Sequence, residues 1–390
     1  MDKIKRLKEK YLDKMINLRE TIHMYPEDGF SEFKTSKIII DELEKLNIKV
    51  QKNVAKTGVV GLIEGKYPGK TVLLRADMDA LKLQEKADIE YKSKVDGMMH
   101  ACGHDGHVAG LLGAAMILNE LKDNLHGNVK LVFQPAEERE GGALPMIEEG
   151  ILENPKVDVA FGAHLWGYLK EGEAHLKEGP MMAAPDVFNI KIIGKGGHGA
   201  LPQESVDPIV IACQVVNALQ AIVSRKTNPL DPVVITCGRI QGGHCHNVIP
   251  NEVEIEGTIR TFSPITRQYI PHAMEELVKG MTTCQGASYE FVYEPKYPAL
   301  INNKEMVNFA KESLKKVLGE SNVKDLKEPN MGGEDFAYFA EKVPSAFIFV
   351  GIAKDEKNPV IHHNPYFKWD SKNVGVLAEG LAQIAFDYLK

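Results

Sequence analysis

Cysteine is scarce in this 390-residue chain, with five residues, Cys102, Cys213, Cys237, Cys245 and Cys284. An odd, scattered set does not make a disulfide framework and fits a reducing compartment. Basic charge is also in deficit, 47 Lys and Arg against 54 Asp and Glu, for a net charge of −7. No basic stripe interleaved with aromatics appears, so nucleic acid is not an expected partner. No apolar run reaches the roughly 18 residues of a membrane span, and residues 1–14 lack the apolar core of a secretory signal. The expected location is the cytoplasm, with no membrane partner.

What is present is an ordinary globular balance of 44% hydrophobic and 26% charged residues, enough for a sizeable core. The length favours two domains. Apolar β-rich runs at 71–79, 128–134 and 157–164 alternate with amphipathic stretches such as 108–121, the pattern of a largely parallel α/β sheet. Near residues 181–186 the character changes. Strands at 187–193, 233–240, 252–262 and 288–293, with helices at 208–223 and 265–284, follow the βαββαβ order of a ferredoxin-like unit. From about residue 297 the first pattern resumes, with a helix at 304–318, a strand at 346–350 and a last helix at 372–389. The expected organisation is a catalytic domain in two parts, 1–184 and 296–390, around an inserted lid or dimerisation domain at 185–295.

The densest chemistry lies in Met99-His100-Ala101-Cys102-Gly103-His104-Asp105-Gly106-His107, just before a helix. A bland reading makes it a polar helix entry with Asp105 as the N-cap. A thiolate and an imidazole at Cys102 and His104 also suit a shared metal site, with His100 and His107 as supporting or surface residues. Gln134-Pro135-Ala136-Glu137-Glu138 follows an apolar strand, so one glutamate can bind metal while the other takes a proton. His164 closes another apolar run, and Asp77 and Asp79 close a third. Ligands of open parallel sheets bind beyond the carboxyl ends of strands, which places Asp77, Asp79, Glu137, Glu138 and His164 around one cleft. His362-His363-Asn364-Pro365 can add one imidazole. Gly194-Lys195-Gly196-Gly197-His198-Gly199 lacks the ending of a phosphate loop; its glycines let His198 project from a strand end. His244-Cys245-His246 has no carboxylate beside it and reads as structural or substrate-facing.

These motifs, with Arg75 to Leu81, Gly162-Ala163-His164, Asn247-Val248-Ile249-Pro250, Gly257 to Arg260, Gly332 to Phe336 and His363-Asn364-Pro365, resemble the aminoacylase and carboxypeptidase family of two-metal hydrolases. The similar branch holds hippurate hydrolases, auxin-conjugate (IAA-amino acid) hydrolases and N-acetyldiaminopimelate deacetylases. The resemblance implies two divalent ions per subunit, Zn²⁺ or Mn²⁺ first, with Co²⁺ or Ni²⁺ also admitted. Cys102 would be shared by both ions, one completed by His104 and His164 and the other by Glu138 and His363. Glu137 would be the general base. His198 would reach a partner subunit's active site, Asn247 and Arg260 would grip the substrate carboxylate, and Asp77 and Asp79 would support the ligands from behind. The implied reaction cleaves an N-acyl amino acid, or a similar N-acyl amine, to a carboxylate and a free amine. Alternatives are a carboxypeptidase or dipeptidase, a deacetylase of N-acetyldiaminopimelate, and a metal-dependent binding protein without turnover. A homodimer, or a homotetramer, is the implied assembly.

Overall fold

Val72, Leu73, Leu74 and Ala76 are at most 2% exposed and form the centre of strand Tyr67–Asp77. A strand buried on both faces belongs in the middle of a sheet covered by helices. Each such side chain contributes about 1.5–3 kcal/mol by leaving water. A computed structural model describes residues 3–139, 141–355 and 357–390 of the chain. It places this strand inside an eight-stranded sheet in the order Lys49–Val54, Gly58–Glu64, His126–Gln134, Tyr67–Asp77, Val159–Lys170, Ser345–Ala353, Ala174–Leu176 and Val323–Asp325. The central pairings are parallel, with Arg75 opposite Val132 on one side and Gly162 on the other. Antiparallel pairs flank this core.

Helix His104–Leu121 lies against the sheet and is buried on nearly every side, only Asn119 and Glu120 falling outside its buried set. Its glycines permit this. A Cβ on Gly106 would sit 2.6 Å from the Trp369 ring, and one on Gly110 would sit 2.6 Å from a Leu377 methyl. Backbone therefore approaches side chains more closely than alanine allows. Helix Asn373–Tyr388 packs beside it, with Leu377, Ala378 and Leu381 in the same core.

The chain divides into two compact units, one of Met1–Gly179, Ile301–Glu328 and Tyr338–Lys390, the other of Pro180–Leu300 and Pro329–Ala337. In the second unit, four antiparallel strands run in the order Val233–Gly242, Glu252–Thr261, Ala184–Ile193 and Ser288–Glu294. Two helices join their core, with Ile211, Val215 and Leu219 of one and Met274 and Val278 of the other meeting Phe188, Ile190 and Ile255. The helices start where their caps dictate. Asp207 accepts the N–H of Ile209 ahead of Pro208, and Ser263 accepts that of Thr266 ahead of Pro264, the placement both cap and proline favour. Residues Pro208–Lys226 pass for a membrane span by length and composition, but Gln214, Asn217 and Gln220 interrupt the apolar run, and Ile211, Val215 and Leu219 of this segment pack into the core of the small sheet.

Candidate metal and catalytic site

After strand His126–Gln134 the chain turns through Ala136, which holds a left-handed φ of 55°. The next two amides are then captured by one carboxylate. Asp79 accepts the Glu137 N–H on Oδ1 and the Glu138 N–H on Oδ2, each at 3.0 Å. Asp79 also faces His104 Nδ1, with its carbonyl at 3.0 Å and Oδ1 at 3.3 Å. It thereby orients an imidazole and two glutamates, the part of a residue that supports ligands from behind.

Asp77 is equally committed. Arg75 Nη1 donates to its Oδ2 at 2.7 Å and His107 Nδ1 lies 2.5 Å from its Oδ1. The other nitrogen of His107 accepts the Leu165 N–H at 2.9 Å, so this ring has no lone pair left for a metal. The Asp77 Oδ2 is 3.7 Å from His104 Nε2. His100 is also buried, beside His23. Neither His100 nor His107 is the surface residue that the sequence left open. Asp105 is no N-cap either. Gly103 takes that position at φ 96°, and Asp105 accepts Arg19 Nε at 2.7 Å and faces His23 Nδ1 at 2.9 Å.

The remaining groups converge. Cys102 Sγ is 3.3 Å from His164 Nε2, and His164 Nδ1 donates to the Leu165 carbonyl at 2.7 Å, which leaves Nε2 as the bare nitrogen. His363 Nε2 is 3.0 Å from Glu138 Oε1, and His104 Nε2 is 3.9 Å from the same oxygen. Ligand atoms of Cys102, His104 and His164 lie within 4.8 Å of one another, as do those of Cys102, Glu138 and His363, and those of His104, Glu137 and Glu138. His164 does not end its strand as the sequence suggested. Strand Val159–Lys170 continues, but its pairing with Tyr67–Asp77 stops at Gly162 opposite Arg75, so His164 emerges where its neighbour ends. The doubled histidine separates clearly. His362 accepts the Gly167 N–H at 2.9 Å and sits among Trp166, Tyr168 and Phe367, whereas His363, at φ 56°, meets Glu138.

The donor set fits divalent cations. His104 Nε2 is buried with no hydrogen-bond partner, a costly state unless something binds it. Burial disfavours charge on His104, yet Asp77, Asp79 and Glu138 outweigh burial and push its pKa up to about 10. Burial, then the carboxylates of Glu138, Glu137 and Asp77, push the Cys102 thiol well above its ordinary value. Burial, with His107 and His362 nearby, holds His164 well below the usual imidazole range, leaving it neutral. A ring of buried acids around a thiol and a neutral imidazole is a place for positive charge.

In the second unit His198 lies on the short strand Gly197–His198, opposite Val248 and beside Asn247, whose carbonyl accepts the Gly199 N–H at 2.8 Å. The exposed His198 ring accepts the Ala200 N–H on Nδ1 at 3.0 Å, which directs its proton to Nε2. Arg260 is half-buried on strand Glu252–Thr261. Glu32 is buried and accepts the Ala136 N–H at 2.9 Å; it lies in no motif, so nothing in the sequence marks it.

A profile of peptidase family M20/M25/M40 matches residues 73–385, which spans the cluster from Asp77 to His363. The chain belongs to this family. That places it among hydrolases of amide bonds. Among its relatives, thermostable carboxypeptidase 1 of Saccharolobus solfataricus (strain ATCC 35092 / DSM 1617 / JCM 11322 / P2) is 41% identical over 397 residues, covering 99% of each chain. An N-acyl-L-amino acid amidohydrolase of Geobacillus stearothermophilus is 46% identical over 302 residues, 77% of this chain and 81% of its own. The crystal structure of the Bacillus subtilis YXEP protein, a dinuclear metal binding peptidase of the M20 family, superposes with a TM-score of 0.85 at 36% identity, covering 98% of this chain and 99% of its own.

Proposed function

We propose that this M20 family member is a cytoplasmic two-metal amidohydrolase that removes the acyl group from the nitrogen of an L-amino acid or similar small amine. The observation that carries the reading is the cluster itself, a thiol, three imidazoles and a carboxylate pair whose ligand atoms fall into overlapping groups of three, each within 4.8 Å, with Cys102–His164 and Glu138–His363 at hydrogen-bond distance. Cys102 would be shared by the two ions, with His104 and His164 holding one and Glu138 and His363 the other. Zn²⁺ or Mn²⁺ suits this mixed sulfur, nitrogen and oxygen set, and Co²⁺ or Ni²⁺ is compatible. When bound, such ions polarise the amide carbonyl and make water acidic near neutral pH. Glu137 then takes the proton of the attacking water and delivers it to the leaving nitrogen, so that amide and water become carboxylate and amine. Asn247 and Arg260 hold the carboxylate of the substrate, and His198 Nε2–H donates to the developing oxyanion.

The relative named as a carboxypeptidase supports a second reading, in which the acyl part is itself an amino acid. A screen of N-acetyl, N-benzoyl and N-succinyl amino acids against dipeptides separates the two. Faster turnover of the N-acyl amino acids is expected; preference for dipeptides with a free amino terminus would overturn the first reading.

The 185–295 segment, inserted between the catalytic parts 1–184 and 296–390, is assigned to dimerisation. Helix Pro208–Ala221 leaves Ile209 and Val210 38% and 49% exposed. Strand Val233–Gly242 is a sheet edge, with Ile240 52% exposed. An apolar helix face beside an open edge suits a second copy of the chain. His198 would then serve the neighbouring copy. Homodimers of His198→Ala and of Glu137→Gln should each be nearly inactive, yet mixing them should restore part of the activity, because one site of the mixed dimer is intact. No recovery after verified subunit exchange would place His198 in its own chain's site or outside catalysis.

A further inference from the structure

Glu32 is fully buried and lies outside the ligand cluster. It immediately precedes helix Phe33–Lys45 but makes no capping bond to that helix. Glu27 does that work instead. Its carboxylate accepts the N–H groups of Lys34 and Thr35 at 3.0 Å and the Thr35 hydroxyl at 3.1 Å. Glu32 is thereby released to face inward. Its Oε2 accepts the Thr57 hydroxyl at 2.5 Å and its Oε1 accepts the Ala136 N–H at 2.9 Å. Thr57 is itself tethered, because its carbonyl accepts the Ser36 hydroxyl.

Ala136 is the residue at which the chain bends to present Glu137 and Glu138. Its φ of 55° lies in a region that residues with side chains keep only under restraint. Gly29 presses on it from behind, since a Cβ there would lie 2.9 Å from the Ala136 Cβ. Three consecutive amides, 136 to 138, therefore end on two buried carboxylates, the first on Glu32 and the next two on Asp79. Ala136 is fully buried, so water cannot replace the bond that Glu32 makes.

We propose that Glu32 is a positioning residue for Glu137: by accepting the Ala136 N–H it holds the left-handed turn that aims the general base. This rests on the assignment of Glu137 above. Glutamine at position 32 preserves the size, offers an oxygen to Ala136 and an amide to Thr57. Aspartate keeps the charge but draws back by one methylene. Glu32→Ala should lower kcat about 100-fold, the scale of a misplacement of roughly 1 Å. KM and the content of bound metal should stay near wild type, the mark of an interaction expressed in the transition state. Glu32→Gln should restore most of kcat. Amide exchange at Ala136, read in the metal-loaded protein, should speed up roughly tenfold in Glu32→Ala, the weight of one net hydrogen bond, and stay slow in Glu32→Gln. If Glu32→Ala does not fold, Glu32→Asp takes its place and should be slow where Glu32→Gln is fast. Unchanged exchange in the alanine or aspartate variant, equal loss of kcat in the alanine and glutamine variants, or loss that merely tracks missing metal would overturn the proposal. Should the wild type hydrolyse no amide, the assignment of Glu137 falls, while exchange at Ala136 still decides whether Glu32 holds the turn.

Discussion

Glu137→Gln is expected to lower kcat by at least about 10²–10⁴-fold, the usual weight of general-base catalysis, while both ions stay bound. The change is nearly isosteric and leaves the backbone in place, since the Glu137 N–H is held by Asp79 at 3.0 Å. The side chain is only 7% exposed, so bulk water does not take over the proton transfer freely. The ligand atoms on Cys102, His104, His164, Glu138 and His363 are untouched. Kinetics on the best N-acyl amino acid, combined with elemental analysis of the same sample, check both halves. Because Glu137 also lies within 4.8 Å of His104 and Glu138, loss of metal in the variant would make it a ligand and undo the assignment of roles.

Chelation should abolish hydrolysis, and adding back Zn²⁺, Mn²⁺ or Co²⁺ should restore it. The carboxylates of Glu137 and Glu138 gather beside Cys102, His104 and His363, and of the neighbouring acids Asp77 has an arginine, Arg75, paired with it. The buried Nε2 of His104, which has no hydrogen-bond partner, lies among these acids. Ions that bind only the folded chain also stabilise it, by about 2.7 kcal/mol when present at 100 times their Kd. Thermal unfolding with and without metal should therefore shift alongside the assay. Full activity in a preparation verified to be metal-free would sink the two-metal reading.

Much of this site is legible along the chain because its chemistry is local. Cys102 and His104 sit two residues apart before a helix, and Glu137 and Glu138 follow a strand whose residues Val129 to Phe133 read as a buried run. Where the sequence misleads, a distant atom is responsible. Asp105 looks like a cap, but Arg19 and His23, more than eighty positions earlier, claim its carboxylate. Glu32 carries no motif in the sequence at all, yet its carboxylate accepts the Ala136 N–H, 104 positions away.

By itself the sequence determined which functional groups are available and the alternation that builds a largely parallel sheet with a βαββαβ insertion. It also determined that metal-type residues cluster near strand ends. Only the tertiary structure decided which imidazoles remain open. His104 and His107 lie three residues apart on one helix, yet His107 spends both nitrogens on Asp77 and the Leu165 N–H, while His104 keeps Nε2 bare. His362 and His363 are adjacent, yet the Gly167 N–H occupies the first and Glu138 faces the second. An imidazole has only two nitrogens, and a hydrogen bond from a residue far along the chain removes one from use. Spacing does not encode that partner; the packing of strand Val159–Lys170 against the ends of its neighbours does.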